Sequence, residues 1–586
     1  MDSTLVLTGI FPFILITAGI LSLIVSLLLL SLYRRATLRG MASTAIPTTG
    51  TSAGERVPSP PQDSPHRTQL PPLQFHEIDA RQTGNRKDSR DAVDSAVVAF
   101  IRRAHINDAL TCLAAGVAYA LIMTLAWSLL ASGPSSIGRS LMLMTLYLWP
   151  GVIAICLVST IGWKESLTVL AGYLLLLMLT VQIVLSRNPQ LSAAALLQLW
   201  FIINLPPSVF FLFFLQNRIR AVGPLVLAFM LCGVAGAVLL VQVTGGSDAM
   251  LGLIIRATMP MGLGATSVFI LMHLAGFVLL AIVGWRLLRR LGEAYRRKRF
   301  SDRSTTLASL WLMFALIQSI GFAFEGALWI LSAPIAFLAC RFVVKIGQRM
   351  NSSRNRPTAE PLELLLLRVF SLGRRSNRFF DSFSRLWRPV GIINMIAGPD
   401  LVTSTVEPHE FLEFAGGKLS RRFVVSEPDL QQRLHDLDRA ADPDGRYRVH
   451  EFFCHDDTWR MTMQRLAAES HAIVMDLRSF SNANQGCLYE LKVLLDTIDL
   501  RHIVFIVDGT TDRAFLESSL LNLWSVLDQQ SPNTDLGEPT VTLFAAENHS
   551  RRALNSLISQ LTRHTLPVPD TATLWDRTTP GRTHHP

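Results

Sequence analysis

Acidic, hydroxyl and basic side chains follow four short apolar runs in the second half of the chain, and their types suit the binding of a polar ligand. The candidate binding residues are Asp400, Asp456, Asp476, Arg478, Ser481, Asp508 and Thr511. Carboxylates accept hydrogen bonds, hydroxyls donate and accept them, and arginine can hold a phosphate with two parallel hydrogen bonds. Gathered in one place, these groups would bind a small charged molecule such as a nucleotide.

The same residue types also begin helices and form turns, so the candidates have a structural alternative. Asp457 or Thr458 would cap a helix that begins at Trp459, and Thr511 or Asp512 would cap a later helix. A turn is the alternative for the Ser-Asn pair that follows the third run. The sequence leaves both interpretations open.

Metal and thiol chemistry is not predicted. The 6 cysteines include no CxxC pair and no Cys/His metal spacing. Cys454 and His455 are neighbours at the end of a predicted strand, so they point to opposite faces and are poorly placed to act as a nucleophile and its base. Asp442 to Gly445 begins like a calcium loop, but no glutamate stands at the closing position. No metal site is therefore assigned, and the cofactor stays unknown.

Apolar runs alternate with amphipathic stretches across residues 390–566. The predicted strands are 391–397, 447–453, 472–476, 502–508 and 540–546, and the predicted helices are 408–419, 429–440, 459–470, 486–498, 512–529 and 550–562. Continuous apolar strands are typical of parallel sheets, and alternation with helices predicts right-handed crossovers. We therefore predict a doubly wound, flavodoxin-like α/β domain that binds ligands beyond the carboxyl ends of its strands. The tail at 567–586 is predicted to be disordered.

Nine apolar stretches of membrane-spanning length fill most of the chain before that domain. They lie near 8–32, 110–131, 141–161, 167–185, 196–215, 222–243, 263–285, 306–324 and 327–345, and each can cross the ~30 Å hydrocarbon core. The chain is 50% hydrophobic and 17% charged, which is typical of a membrane protein with a cytosolic domain. The predicted fold class is a multi-pass α-helical membrane protein with a C-terminal α/β domain. One retained span occupies 1–35, and eight more occupy 100–348.

The distribution of basic residues predicts the orientation in the membrane. Arg34 and Arg35 end the first span, and a basic run lies at 286–303, whereas the loops on the opposite side hold few positive charges. Positive loops stay in the cytoplasm, so the N-terminus is expected outside and the C-terminal domain inside. These loops and their contact with anionic lipid also explain the net charge of +10, so the expected partner is the lipid bilayer and not nucleic acid. The last two spans, at 306–345, could instead form a re-entrant pair.

Two connecting segments complete the predicted organisation. Residues 36–95 are rich in Ser, Thr, Pro, Gln and Arg and lack apolar periodicity, which predicts a disordered cytoplasmic linker. Residues 361–388 combine an apolar run with Arg374, Arg375 and Arg378, which predicts an amphipathic helix at the membrane interface.

Part of the α/β segment resembles a known family. The stretches Ser470 to Leu477, Ser479 to Ser481 and Gly486 to Leu491 resemble the central part of Toll/interleukin-receptor (TIR) domains, which place a strand, a Ser-containing loop and a helix with a Glu-Leu or Glu-Ile pair in this order. The resemblance implies a TIR-like domain that uses NAD or another nucleotide. In an NAD-cleaving enzyme Glu490 would be the catalytic residue. Blocks from Leu364 to Leu491 also look like a family of uncharacterised bacterial inner-membrane proteins, which implies that location.

Three functions fit these features. The first is a membrane-anchored signalling or sensing protein whose TIR-like domain binds a nucleotide or a protein partner through Glu490, Asp476, Arg478 and Ser481. In an NAD-cleaving form, Glu490 would stabilise the positive charge that develops at the ribose. The second is a protein-interaction scaffold without catalysis. The third is a transporter with a regulatory cytosolic domain, which would need a polar path around His273. An oligomer is compatible with all three.

Overall fold

The protein divides into two compact units. The computed structural model describes residues 3–44, 70–78, 89–130, 136–159, 163–215, 222–323, 327–354, 360–368, 374–398, 408–546 and 551–563. The helical unit comprises Met1–Arg34, Asn107–Arg349 and Thr403–Gly417, and the α/β unit comprises Arg35–Ile106, Met350–Val402 and Lys418–Pro586. Asp400 and the tail at 567–586 lie outside the described residues.

Long apolar helices make up the helical unit. In chain order they are α1 (Ser3–Met41), α2 (Ser89–Leu130), α3 (Ile137–Tyr147), α4 (Trp149–Ser159), α5 (Trp163–Arg187), α6 (Ala193–Leu215), α7 (Gly223–Gly245), α8 (Asp248–Thr258), α9 (Ala265–Arg296), α10 (Asp302–Ala323) and α11 (Ser332–Arg354). Within the described residues, nine helical segments are long and apolar enough to cross a membrane, with α3 and α4 counted as one segment. The nine predicted apolar helices are therefore confirmed, since each predicted stretch overlaps one of these segments.

A buried polar network joins four helices of the helical unit. Tyr119 Oη on α2 donates to Gln318 Oε1 on α10 at 2.7 Å. Gln318 Nε2 donates to Asn204 Oδ1 on α6 at 3.1 Å, and Asn204 Nδ2 donates to the Leu146 carbonyl of α3 at 3.1 Å. Polar side chains between apolar helices stabilise the packing when their hydrogen bonds are made inside the bundle, as they are here. The spacing of these residues in the sequence does not indicate that they meet.

The strands of the α/β unit form one parallel sheet. In chain order they are β1 (Gln74–Ile78), β2 (Leu362–Arg368), β3 (Gly391–Ile396), β4 (Phe423–Val424), β5 (Val449–Cys454), β6 (Ala472–Asp476), β7 (Ile503–Val507) and β8 (Thr540–Ala545). Their order across the sheet is β1-β8-β7-β6-β2-β3-β5-β4, and all neighbouring strands are parallel. The five predicted strands correspond to β3, β5, β6, β7 and β8, so the predicted parallel sheet is confirmed.

Helices cover both faces of this sheet. The helices that follow α11 are α12 (Arg374–Trp387), α13 (Pro408–Ala415), α14 (Glu427–His435), α15 (Trp459–Glu469), α16 (Gln485–Thr497), α17 (Arg513–Ser525) and α18 (Arg551–Thr562). Leu365 and Leu367 of β2 pack in one core with side chains of α15, α16 and α17. Leu364 and Leu366 point to the other face and are equally buried, and α12 and α18 contact each other as well as the sheet.

The predicted domain at 390–566 is interrupted. The described residues 408–417 belong to the helical unit, where α13 packs against α9. Gly292 of α9 makes room for this contact, because a Cβ there would lie 2.6 Å from Leu412 Cδ1. The carboxylate of Glu413 lies 3.8 Å from Arg296 Nη1. The sequence analysis placed α13 in the α/β domain because it follows a strand, but its packing partner is a long apolar helix.

The prediction of a disordered linker at 36–95 is wrong for residues 74–78. These residues form β1, which pairs with β8 along its whole length. Trp524 Nε1 donates to the Pro71 carbonyl at 3.0 Å, and Leu73 packs into the core of the unit. The segment has little apolar character of its own and is stabilised by partners far along the chain, which is why no local signal predicts it. Helices α1 and α2 also extend into 36–95.

The prediction of an interfacial helix at 361–388 is also wrong. β2 occupies the centre of the sheet between β6 and β3, and all of its residues are buried. α12 buries Phe379, Phe383 and Trp387, and Trp387 Nε1 donates to the Ile392 carbonyl at 3.1 Å. An apolar run followed by arginines is typical of both structures, and only the pairing of β2 on both edges distinguishes them. The α/β unit therefore needs residues before 390.

Shortening Leu365 to alanine should destabilise the α/β unit by about 2–5 kcal/mol, because it leaves a cavity at the centre of the sheet. Leu365→Ala is compared with Leu521→Ala on α17, whose side chain is 47% exposed and should contribute less than about 0.5 kcal/mol. The measurement is the urea concentration at which protease cuts half of the full chain within the α/β unit. Equal effects of the two substitutions would contradict the central position of β2.

Candidate functional site

β2 and β6 are neighbours in the sheet, but the chain leaves them in opposite directions. β2 is followed by β3 on one side, and β6 is followed by β7 on the other. Their carboxyl ends are in register, with Arg368 opposite Asp476. In open parallel sheets, ligands bind beyond the strand ends at such a point of divergence. The side chains gathered there define the candidate site, and they are Arg368, Phe379, Asp476, Arg478 and Glu490.

Asp476 and Arg478 form a buried ion pair at the end of β6. Arg478 Nε donates to Asp476 Oδ1 at 2.7 Å, and Arg478 Nη2 donates to Oδ2 at 2.6 Å. Arg478 is 1% exposed, and its guanidinium carbon lies 4.9 Å from the ring centre of Phe379 on α12. A carboxylate and an aromatic face thus replace water around the guanidinium. Both residues were predicted to contact a ligand, and a phosphate would reach Arg478 only by displacing Asp476.

Glu490 lies on α16 with its side chain buried. The residue is 4% exposed, and its Oε2 has no hydrogen-bond partner among the described residues. Burial raises the pKa of Glu490 to about 8, and the positive charge of Arg368 opposes this rise. Glu490 can therefore take up and release a proton near neutral pH, as a general acid or base does. Its raised pKa and its position beside the strand ends make Glu490 a candidate functional residue.

Sequence reasoning missed Arg368 and Phe379. Both lie in 361–388, which was predicted to contact the membrane interface, so neither was considered as a site residue. Arg368 follows the continuous apolar run Leu364 to Leu367, just as Asp476 ends the run that begins at Ala472. That shared pattern was the available signal. Arg368 is 3% exposed, so the protein removes its charge from water as well.

The loops that follow β6 and β7 are joined by hydroxyl groups. Ser479 Oγ lies 3.0 Å from Thr510 Oγ1, and Thr511 Oγ1 donates to the Leu477 carbonyl at 3.0 Å. Asp508 Oδ1 accepts the amide of Thr510 at 2.9 Å. Ser479 adopts a φ of 59°, a left-handed conformation that is uncommon outside glycine and clusters at functional sites. The structure thus brings Asp508 and Thr511 beside the end of β6.

Helix capping and turn formation, the structural alternatives to ligand binding, hold for some of the candidate residues and not for others. Asp512, not Thr511, caps α17 by accepting an amide of its first turn at 3.0 Å. Ser481 forms a turn with Asn484, in which the Ser481 amide donates to Asn484 Oδ1 at 2.9 Å. Thr458 precedes α15 but makes no side-chain cap to it. Ser481 therefore bonds within its own turn, whereas Thr511 joins the loop that follows β7 to the loop that follows β6.

Asp456 lies apart from the other predicted residues. It follows β5, and β3 separates β5 from β2, which corresponds to roughly 10 Å at the usual strand spacing. Its side chain is exposed, and its amide donates to the Ser43 carbonyl at 3.2 Å. The predicted set therefore divides into the buried residues Asp476, Arg478 and Glu490, the adjacent loops, and Asp456.

The chain matches no family model, no curated protein and no solved structure. The resemblance to TIR domains therefore stays a hypothesis that rests on the residues quoted above. A parallel sheet does not identify an activity, because the same architecture serves many functions. The function has to be inferred from the groups at the site.

Replacing Glu490 with glutamine should make the stability of the α/β unit less sensitive to pH. The pKa of about 8 in the folded protein lies above the ordinary value of 4.5. The stabilising contribution of the protonated acid is therefore complete below the ordinary pKa and is lost as the pH rises through the folded pKa. Between these two pKa values, the free energy of unfolding of Glu490→Gln should rise relative to that of the wild type by up to about 5 kcal/mol. Thermal midpoints measured from about pH 5 to about pH 8 test the difference.

Glu469→Gln is the matched control for this pH series. Glu469 lies on α15 and pairs with Arg465 at 2.9 Å near the surface. A surface pair contributes about 1 kcal/mol or less, so the control should follow the wild-type profile. Parallel profiles for Glu490→Gln and the wild type would show that the Glu490 pKa is not raised.

Proposed function

We propose that this chain is a multi-pass protein of a bacterial inner membrane whose α/β unit binds a nucleotide and thereby serves in sensing or signalling. The observation that carries the proposal is the burial of four ionisable side chains where β2 and β6 diverge, namely Arg368, Asp476, Arg478 and Glu490. Apolar residues in place of a buried ion pair are often neutral or stabilising. Stability therefore does not explain these charges, whereas recognition of a charged ligand does.

A nucleotide carries the two kinds of group that this site can bind. Its phosphate would replace Asp476 on the guanidinium of Arg478, because both anions present two oxygens to the fork. Its ribose hydroxyls would bond Glu490 Oε2, which has no partner among the described residues. Binding would break the ion pair, so the free and bound states would differ in structure. A sensor requires such a difference, since a ligand shifts an equilibrium only by its unequal affinity for two states.

The protonation of Glu490 favours nucleotide binding over NAD cleavage at neutral pH. The resemblance of residues 470–491 to TIR domains makes NAD the first candidate nucleotide. In NAD cleavage a carboxylate would stabilise the positive charge that develops at the ribose, and only the ionised form can do so. Because the pKa of Glu490 is about 8, the acid is mostly protonated at neutral pH. Any cleavage should therefore increase as the pH rises through that value.

The helical unit supports a membrane location but gives less support to transport. Its apolar segments have spanning length. His273, around which a polar path was considered, has its Nδ1 2.9 Å from the Phe269 carbonyl of its own helix. The amides of Asn204 and Gln318 are bonded within the bundle. The scaffold without catalysis is the alternative that remains if no small ligand binds.

One nucleotide should raise the thermal midpoint of the α/β unit by several degrees, because a ligand that binds only the folded state stabilises it. The full chain in detergent is titrated with NAD, ATP and cyclic nucleotides, and NAD loss is assayed in parallel. Glu490→Gln should lower the affinity for the nucleotide that raises the midpoint by about tenfold or more, as expected when a hydrogen bond to a charged or buried group is removed. The full chain is necessary because β1 and β2 lie outside 390–586.

Glu469→Gln again serves as the control, since it removes a carboxylate of α15 away from the strand ends. It should bind the same nucleotide with unchanged affinity. If none of the nucleotides shifts the midpoint and NAD is not consumed, the nucleotide proposal fails and the scaffold alternative gains support.

The proposed orientation can be tested with a reporter that fluoresces only in the cytoplasm. Fused after Pro586 it should fluoresce, and fused before Met1 it should not, because the basic run at 286–303 retains its loop in the cytoplasm. The chain should also stay with the membrane fraction after an alkaline carbonate wash. Fluorescence at both ends would indicate an even number of spans, as expected if only one of the two segments within 306–345 crosses the membrane, whereas a re-entrant pair would leave seven spans and the same orientation.

A further inference from the structure

Helices α7 and α9 of the helical unit pack closely and border a groove. The close approach is made by Gly236 and Gly276, because a Cβ on either would overlap the carbonyl oxygen of the other. Nearer the carboxyl end of α9, the groove has a volume of about 650 Å³. Phe229 of α7 forms one wall, and Val278 and Ile282 of α9 form the other. Val278 is 49% exposed and Ile282 is 47% exposed, so the described protein leaves this apolar wall uncovered.

The groove has the length of one lipid leaflet. Its α9 residues recur at three- or four-residue intervals from Val278 to Arg289, which places them on one face of the helix. At a rise of 1.5 Å per residue this face is roughly 16 Å long, and half of the hydrocarbon core is about 15 Å. An acyl chain that lies along the apolar wall would therefore place its headgroup at the arginine end.

Positive charge marks that end of the groove. Arg286 and Arg289 line it and are exposed, and neither forms an ion pair with a described residue. The guanidinium carbon of Arg289 lies 5.6 Å from the ring centre of Trp285. Tryptophan and arginine are typical of the level at which hydrocarbon meets headgroups. An apolar wall that ends in two uncompensated charges is complementary to a lipid with an anionic headgroup.

We propose that this groove is a binding site for one anionic phospholipid. The acyl chain lies between Phe229 and Ile282, and the phosphate is held by Arg286 and Arg289. A zwitterionic lipid binds more weakly because its own positive group is repelled by the same arginines. The proposal rests on the proposed membrane location and is independent of nucleotide binding in the α/β unit.

Native mass spectrometry of the detergent-purified, delipidated full chain tests the site with phosphatidylglycerol and phosphatidylcholine. The wild type should retain one phosphatidylglycerol in preference to phosphatidylcholine. Arg286→Gln combined with Arg289→Gln should reduce phosphatidylglycerol affinity by about tenfold or more. Ala281→Phe fills the groove without changing any charge, and it should cause a comparable loss.

Arg290→Gln combined with Arg297→Gln is the matched control. Both residues are exposed on the same part of the chain, neither lines the groove, and the change in net charge is identical. This control should retain the wild-type preference. The site is refuted if the control loses as much affinity as the groove variant, or if the wild type binds both lipids equally. A chain that the carbonate wash releases and that carries neither lipid would instead refute the membrane location.

Discussion

The α/β unit depends on the burial of β2, a strand that must be covered on both faces and paired on both edges. All of its residues are buried, and β3 and β6 lie on either side. The pairing with β3 begins at Gly391, where a Cβ would overlap the Leu362 carbonyl. Next to β2 the direction of the connections changes, because the chain leaves β2 towards β3 and leaves its neighbour β6 towards β7. The point of divergence at its carboxyl end follows from that topology, and so does the place where a ligand can reach the strand ends.

The two buried carboxylates near the carboxyl end of β2 differ in their hydrogen-bond partners. Asp476 receives two hydrogen bonds from the guanidinium of Arg478 and one from its backbone amide, and the low dielectric of the interior strengthens this ion pair. Glu490 has one oxygen without a partner among the described residues, so burial raises its pKa instead. The positive charge of Arg368 reduces that rise without cancelling it. One acid is thus paired and the other is held near its titration point within one small region.

Features with a strong local signal were predictable from the sequence. The apolar helices and the strands β6 and β7 show as apolar runs, and β3, β5 and β8 show as mainly apolar stretches that alternate with helical ones. β1 was not predictable, because its stability comes from β8 and Trp524. β2 was misassigned because its composition also fits an interfacial helix, and that error hid Arg368.

For the candidate site, residue types indicated polar groups at the strand ends but not the side chains that pack against them. Asp476, Arg478 and Glu490 were named as candidates, but their burial was not predicted, since the Phe379 ring that lies against Arg478 comes from the misassigned segment. Thr511 and Asp512 were equally good helix caps by sequence. The structure separates them because Thr511 reaches across to the Leu477 carbonyl, a contact that depends on the pairing of β6 with β7.

These contacts restrict what can act as the ligand. A neutral sugar cannot displace Asp476, since it offers no anion to the guanidinium of Arg478. A simple inorganic anion can compete for Arg478, but it leaves Glu490 without a partner on α16. A molecule that carries a phosphate together with hydroxyl or carbonyl groups satisfies both positions, and the protonated form of Glu490 can donate to such an acceptor below its pKa of about 8. The proposed nucleotide is one molecule of this kind, and the family resemblance is what selects it among them.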